Sequence, residues 1–331
     1  MREKPLTLCK YFAEMKFSKP YLTFLLAAVL LSGCQRGGYA VFTGFAQGGT
    51  YTVKTDLNGV SVPKEEIAAH IDAILDSIDF SLSGYNKSSL LTRFNAGEEI
   101  VPDRFFREVR ALSEQYRAQT GGAFDCAAAP LFDIWGFGFT SDSLPDPARV
   151  QAALLACKKE KVLNFNAIAQ GYTCDVVADY LHSIGVHNML VDIGEIYCEG
   201  VNPSGQGWTI GVDNPVDGND TPGQDIKGVW QSDGGACGIV TSGNYRKFYV
   251  RDGKKYPHTI DPRTGYPVEH GLLSATVVAP TAAEADALAT ACMVLGPEAA
   301  KELILSRPEL EGYLITDTGT WTSDGFKLRI P

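Results

Sequence analysis

The chain has 331 residues, of which 45% are hydrophobic and 21% charged, and its formal net charge is -10 at pH 7. That length allows one large domain or two ordinary ones. The acidic balance argues against nucleic acid as a partner, because binding a phosphate backbone needs clustered Lys and Arg.

The first 33 residues read as a targeting segment. Lys16 and Lys19 precede an apolar run over residues 21–31, which is short for a bilayer span. Met15 offers a second start, from which residues 15–34 alone make a signal of ordinary length. The run ends in Leu31-Ser32-Gly33-Cys34, which resembles a bacterial lipobox with Cys34 as the lipidated new N-terminus. An ordinary secretory peptide with an incidental cysteine is the alternative. The expectation is a lipid-anchored protein on the periplasmic side of a bacterial membrane, the inner one favoured. Residues 34–46 read as a tether and residues 47–331 as one folded domain.

Cys126, Cys157, Cys174, Cys198, Cys237 and Cys292 are scattered, without CxxC spacing or a histidine at a zinc-site interval. They read as small buried hydrophobes, and which of them could pair in an oxidising compartment stays open.

Residues 48–53 alternate as a first strand. Residues 63–78 predict an amphipathic helix, with Ile67, Ile71, Ile74, Leu75 and Ile78 on one face. A polar loop around Tyr85 follows, then a helix over residues 103–120 stopped by Gly121-Gly122. Residues 140–160 read as a polar insertion and a short helix. Residues 164–184 predict a helix, and residues 188–196 a buried strand ending in a glycine turn. Sheet continues at residues 208–212 and from Val229, around an exposed loop over residues 214–227. Asp252-Gly253 predicts a hairpin turn, and strands pair across Thr318-Gly319.

Near the C-terminus a polar turn, His258-Thr259-Ile260-Asp261-Pro262-Arg263-Thr264-Gly265, precedes an apolar strand and an alanine-rich helix. Thr281 and Glu284 have capping-box spacing, and Gly296-Pro297 ends the helix. Asp286 and Thr290 stand four apart, one above the other on its surface. The spacing fits a solvated acid beside a packing threonine. It also fits two oxygen ligands for a hard cation such as Mg²⁺.

These blocks, in this order, resemble the FAD:protein FMN transferase family, first described as thiamine-biosynthesis lipoproteins. The matching stretches are Ser242-Gly243-Asn244-Tyr245-Arg246, residues 258–265, residues 284–290 and Val294-Leu295-Gly296. Upstream, Tyr85 and Arg93-Phe94-Asn95, Gly121-Gly122-Ala123-Phe124-Asp125, Trp135-Gly136-Phe137 and residues 164–172 match as well. The resemblance spans nearly all of residues 48–325. It implies an α+β fold, with mixed sheets packed with helices in a single T-fold-like unit. It implies FAD as substrate with Mg²⁺, and FMN transfer to a threonine hydroxyl of a target flavoprotein with AMP leaving. An FAD pyrophosphatase or a non-catalytic flavin carrier of the same fold are the alternatives. No GxxxxGK[ST] loop occurs, so phosphate is not held by a P-loop.

The resemblance also assigns residues. Asp286, Thr290 and the carbonyl near Ala167 form the metal shell. Gly48, Tyr85, Ala123, Phe124, Asp125, Asn164, Gln170 and the backbone at Ile260 line the FAD site. Asp286 and His258 are the catalytic candidates, although His258 could instead only buttress the Asp261-Pro262 turn. Some positions depart from the family. Gly48 stands where methionine is expected, Asn164 replaces an aspartate, and Gln170 replaces a charged residue. Ala289 stands where a second acid or serine is frequent, so weaker Mg²⁺ binding is expected.

Overall fold

The computed structural model describes residues 38–138, 144–219, 221, 223–251 and 253–330. Cys34, Asp252 and the targeting segment lie outside the described residues. The strands are β1 Tyr39–Ala46, β2 Gly49–Asp56, β3 Met189–Asp192, β4 Ile196–Glu199, β5 Thr209–Asp213, β6 Ile226–Gln231, β7 Cys237–Gly243, β8 Phe248–Arg251, β9 Lys254–Pro257, β10 Leu272–Ala279, β11 Glu311–Thr316, β12 Thr320–Thr322 and β13 Leu328–Arg329. The helices are α1 Lys64–Leu82, α2 Leu90–Asn95, α3 Arg104–Gln119, α4 Ala129–Ile134, α5 Pro147–Cys157, α6 Ala169–Ser183, α7 Ala282–Leu295 and α8 Pro297–Leu305.

Eight strands form an open sheet in the order β1-β2-β3-β4-β7-β10-β11-β12. Every pairing in it is antiparallel. Because strand side chains alternate between faces, the two faces feed different cores. Met189, Val191 and Tyr197 join the core under α1, α3 and α6. Val240, Ala275 and Val277 pack with α7 and α8. Their alternates Leu190, Cys198, Ile239 and Val278 face Trp208, Ile210 and Trp230 of a second sheet, ordered β13-β6-β5. A smaller cluster joins α4, α5 and Ile260. The expected α+β class is present, as helices over an antiparallel sheet.

Several boundaries differ from the sequence reading. Residues 39–46 were assigned to the tether, yet they form β1, because Ala40 and Phe42 alternate inward against β2. The first helix runs on to Leu82, since Ser81 and Leu82 stay buried. The strand at residues 188–196 is a hairpin, β3 and β4, turned at Gly194 where φ is +93°. Ile226 already belongs to β6, so the exposed loop is shorter than expected. Cys198 and Cys237 face each other on paired strands, with Sγ atoms 3.7 Å apart.

Candidate active site

The site is built where α6 meets α7. Helix α6 starts at Ala169, five residues later than the sequence suggests. The Asn164 side chain accepts from Asn166 N in an Asx turn, and the first helical carbonyl is that of Ile168, which takes Tyr172 N at 2.9 Å. The Gly171 N–H, an orphan donor of the first turn, donates to Asp286 Oδ2 at 3.1 Å. In return Asp175 of α6 accepts from Ala282 N and Ala283 N of α7, both at 2.8 Å. Each helix thus supplies the carboxylate that caps the other's N-terminus, a favourable place for negative charge.

Glycine makes that approach possible. A Cβ on Gly171 would overlap the Ala282 carbonyl oxygen and lie 2.9 Å from Asp286 Cβ. On the other side of Ala282, a Cβ on Gly238 of β7 would lie 2.6 Å from the Thr281 carbonyl carbon. Thr281 caps α7 by accepting from Glu284 N at 3.2 Å. The reciprocal half of the capping box is absent, because the Glu284 side chain is taken by Arg307 at 2.6 Å.

Other segments converge on the same end of α6. Gln47, beside Gly48 in the β1–β2 turn, donates to Thr173 Oγ1 at 2.6 Å. Gln170 donates to the Ile193 carbonyl at 3.2 Å and fills the space over Gly194. Asn164 N donates to the Cys126 carbonyl at 2.8 Å, which holds the Ala123-Phe124-Asp125 segment against this loop. Asn166 Nδ2 lies 3.5 Å from the hydroxyl of the exposed Tyr85. Asp125 accepts from Ala127 N and pairs with Arg117 at 3.1 Å. Ala167 is partly buried against the large core. Thr290 lies within 3.5 Å of the Ser242 hydroxyl.

For two sequence candidates the side chain is core. Phe124 is 1% exposed and packs edge-on against Tyr116, so its side chain is core and leaves only backbone for a ligand. Ile260 is equally buried, under α4, while Gly265 N donates to the Asp261 carbonyl to close the turn. At the departure noted above, Ala289 lies in the apolar cluster with Leu288 and Cys292.

The electrostatics are those of crowded acids. Burial pushes Asp286 up to about 7, against the lowering effect of Gly171 N. Burial likewise pushes Asp175 up to about 7. Glu195, in the β3–β4 turn, is pushed well up by burial and then by the Asp286 charge. Glu195 and Asp175 were not among the sequence candidates. Glu195 was legible only as one acid of a turn, and Asp175 carries no local signal because its partners lie 107 and 108 residues away. The cation whose charge reaches Glu195, Arg246, is itself paired with Asp213.

His258 is held by a different set of elements. Its Nδ1 lies 3.0 Å from the Lys247 carbonyl, which can only accept, so Nδ1 carries the proton and Nε2 keeps a lone pair. Burial lowers its pKa to about 4.

These shifts fix the pH dependence of the metal-free protein. Asp175 and Asp286 have folded pKa values near 7 against about 3.9 unfolded, so their stabilising term is full only below pH ~3.9 and is lost progressively as pH rises to about 7. His258 works oppositely: its unfolded form takes a proton near pH ~6.5, so stability falls as pH drops from there toward 4. Between about pH 4 and pH 6.5 the two acids outweigh the one histidine, so these groups together make stability fall as pH rises, and Tm in chelator should be lower at pH 7.5 than at pH 5. A Tm that rises steadily from pH 5 to pH 7.5 would contradict this arrangement.

Comparison with known proteins agrees with the geometry. A model described as the ApbE family matches residues 48–314. The FAD:protein FMN transferase of Escherichia coli (strain K12) is 31% identical over 350 residues, covering 95% of this chain and 98% of that protein. The Haemophilus influenzae protein of the same name is 32% identical over 332 residues, covering 91% and 94%. The solved apo form of the Pseudomonas stutzeri flavinyl transferase ApbE superposes with a TM-score of 0.75 at 34% identity, covering 86% of this chain and 95% of that chain.

Proposed function

The chain belongs to the ApbE family, and on that premise we propose that it moves FMN from FAD onto a threonine hydroxyl of a target flavoprotein. The acceptor oxygen bonds to the FMN phosphorus, the pyrophosphate bond to the AMP phosphate breaks, and AMP leaves with the electron pair. The observation that carries the reading is the buried Asp286, fixed by Gly171 N and crowded by Glu195. Acids raised by burial and mutual repulsion, with the neighbouring Arg246 already paired, suit a divalent metal ion.

Asp286, Thr290 and the Ala167 carbonyl would hold Mg²⁺. The Gly171 N–H that would otherwise close a turn onto that carbonyl is spent on Asp286. When bound, the ion neutralises the diphosphate and the charge that develops on it. The chain's own residues position the substrate. The first turn of α6 favours an anion, and Tyr85 offers an exposed ring for a flat heterocycle. His258 Nε2 takes the acceptor proton, burial keeping the ring neutral at pH 7.

The decisive experiment incubates the protein with FAD, Mg²⁺ and a flavoprotein domain carrying an acceptor threonine. A mass gain of one FMN on the acceptor, with AMP in equal amount, supports transfer. AMP without mass gain would mean hydrolysis, and neither would mean a carrier. His258→Asn should lower kcat by about 10²–10⁴-fold. An unchanged kcat would remove it as the base. Lipid anchoring at Cys34 belongs to the same proposal, and Cys34→Ala should release the protein from membranes.

A further inference from the structure

Helix α6 carries a second group of ligating side chains at its other end. Gly171 lies in its first turn and His182 in its last, roughly 16 Å apart along the axis at 1.5 Å per residue. His182, His187 in the connection to β3, and Glu199 at the end of β4 bring their ligand atoms within 4.8 Å of one another. His182 Nε2 lies 2.5 Å from Glu199 Oε2, and His187 Nδ1 lies 3.8 Å from Oε1 of the same carboxylate. The two imidazoles are 5.7 Å apart, so both rings converge on one acid.

The carboxylate is held from behind. The Tyr197 hydroxyl donates to Glu199 Oε2 at 3.2 Å, and Trp208 Nε1 donates to the Glu199 carbonyl at 2.8 Å. The backbones on either side are tied as well. Asn188 Oδ1 accepts from Val201 N at 2.9 Å, and Gly200, with φ of +69°, packs against the His187 and Asn188 backbone. The three side chains thus come from the last turn of α6, the connection to β3 and the end of β4. His187 has a side chain 70% exposed, which gives an ion access from solvent.

We propose that His182, His187 and Glu199 bind one borderline divalent transition-metal ion, of the Zn²⁺ class. Two imidazole nitrogens and a carboxylate oxygen, with a fourth position open to water, are a fitting donor set for that ion. Mg²⁺ demands oxygen donors and is excluded by the same chemistry. In a tetrahedral shell with ~2.0–2.1 Å bonds, ligand atoms sit about 3.4 Å apart. The His187–Glu199 separation of 3.8 Å closes slightly, and the 2.5 Å His182–Glu199 contact opens as the ion replaces its proton. The bound ion would tie the last turn of α6 to the β3–β4 hairpin. It is separate from the FAD reading and does not depend on it.

The test uses the metal-stripped full chain dialysed against Zn²⁺ with Mg²⁺ saturating, and zinc is then counted per chain. One zinc per chain is expected, and Tm should rise by roughly 4–8 °C when zinc is at a hundredfold excess over Kd. His187→Ala, at an exposed position, and Glu199→Gln should each weaken binding at least about tenfold. Co²⁺ in the same site should show no thiolate charge-transfer band, because the nearby Cys198 and Cys237 are not ligands. Failure to bind zinc, displacement by Mg²⁺, a thiolate band, or unchanged affinity in His187→Ala would each overturn the proposal.

Discussion

Asp286→Asn is expected to lower kcat/KM for FMN transfer by about 10²–10³-fold or more, roughly 3–4 kcal/mol of transition-state stabilisation, while the protein stays folded. The amide oxygen still accepts from Gly171 N, so the cap on α6 survives. What is lost is the negative charge that would hold the cation. A second signature separates this from simple misfolding. The metal-free variant should be more stable than the parent above pH 7, because burial, which raises the Asp286 pKa to about 7, then penalises a charge the amide lacks. Mg²⁺ should stabilise the parent and not the variant. Circular dichroism, thermal unfolding with and without Mg²⁺, and turnover with saturating FAD together decide it. A variant that keeps parental turnover would remove Asp286 from the chemistry.

Gly171→Ala is expected to destabilise the protein strongly, because its added methyl meets backbone at the α6–α7 crossing. It should cost about 1–3 kcal/mol through overpacking and lower Tm by roughly 2–10 °C. The reason is contact, not conformation: the new methyl meets the Ala282 carbonyl, and that backbone cannot retreat because Gly238 of β7 lies behind it. Separating α6 from α7 also withdraws Gly171 N from Asp286, so activity should fall with stability. Gly319→Ala is the control, since nothing lies within 4 Å of its added Cβ. Equal Tm values for the two variants would show that the helix crossing is not tightly packed.

Much of this molecule is readable along the chain. The apolar spacing of α1, the glycine stop of α3 and the Thr281 cap of α7 are local patterns, and each recurs in the structure. The Asp286–Thr290 spacing is likewise legible, and both residues lie at the crossing where Gly171 and Ser242 meet them. Side-chain burial depends on partners distant in sequence. The side chains of Phe124 and Ile260 lie in separate cores, which leaves their backbones as the groups that could face a ligand. Residues 39–46 look like a tether by composition and become a strand only because β2 pairs with them.

By itself the sequence determined the long helices to within a turn or so, the Thr281 cap, the turn glycines and the order of motifs that points to a flavin transferase. These features depend on neighbours a few residues apart, where propensity and side-chain chemistry act directly. Tertiary structure alone decided that Asp175 and Asp286 cap each other's helices, that Glu195 joins them, and that His182 and His187 share Glu199. Those contacts span 115 residues for Gly171–Asp286 and 17 for His182–Glu199. They form only after sheet pairing and core packing have brought separate segments together, and no local pattern encodes the distance between them.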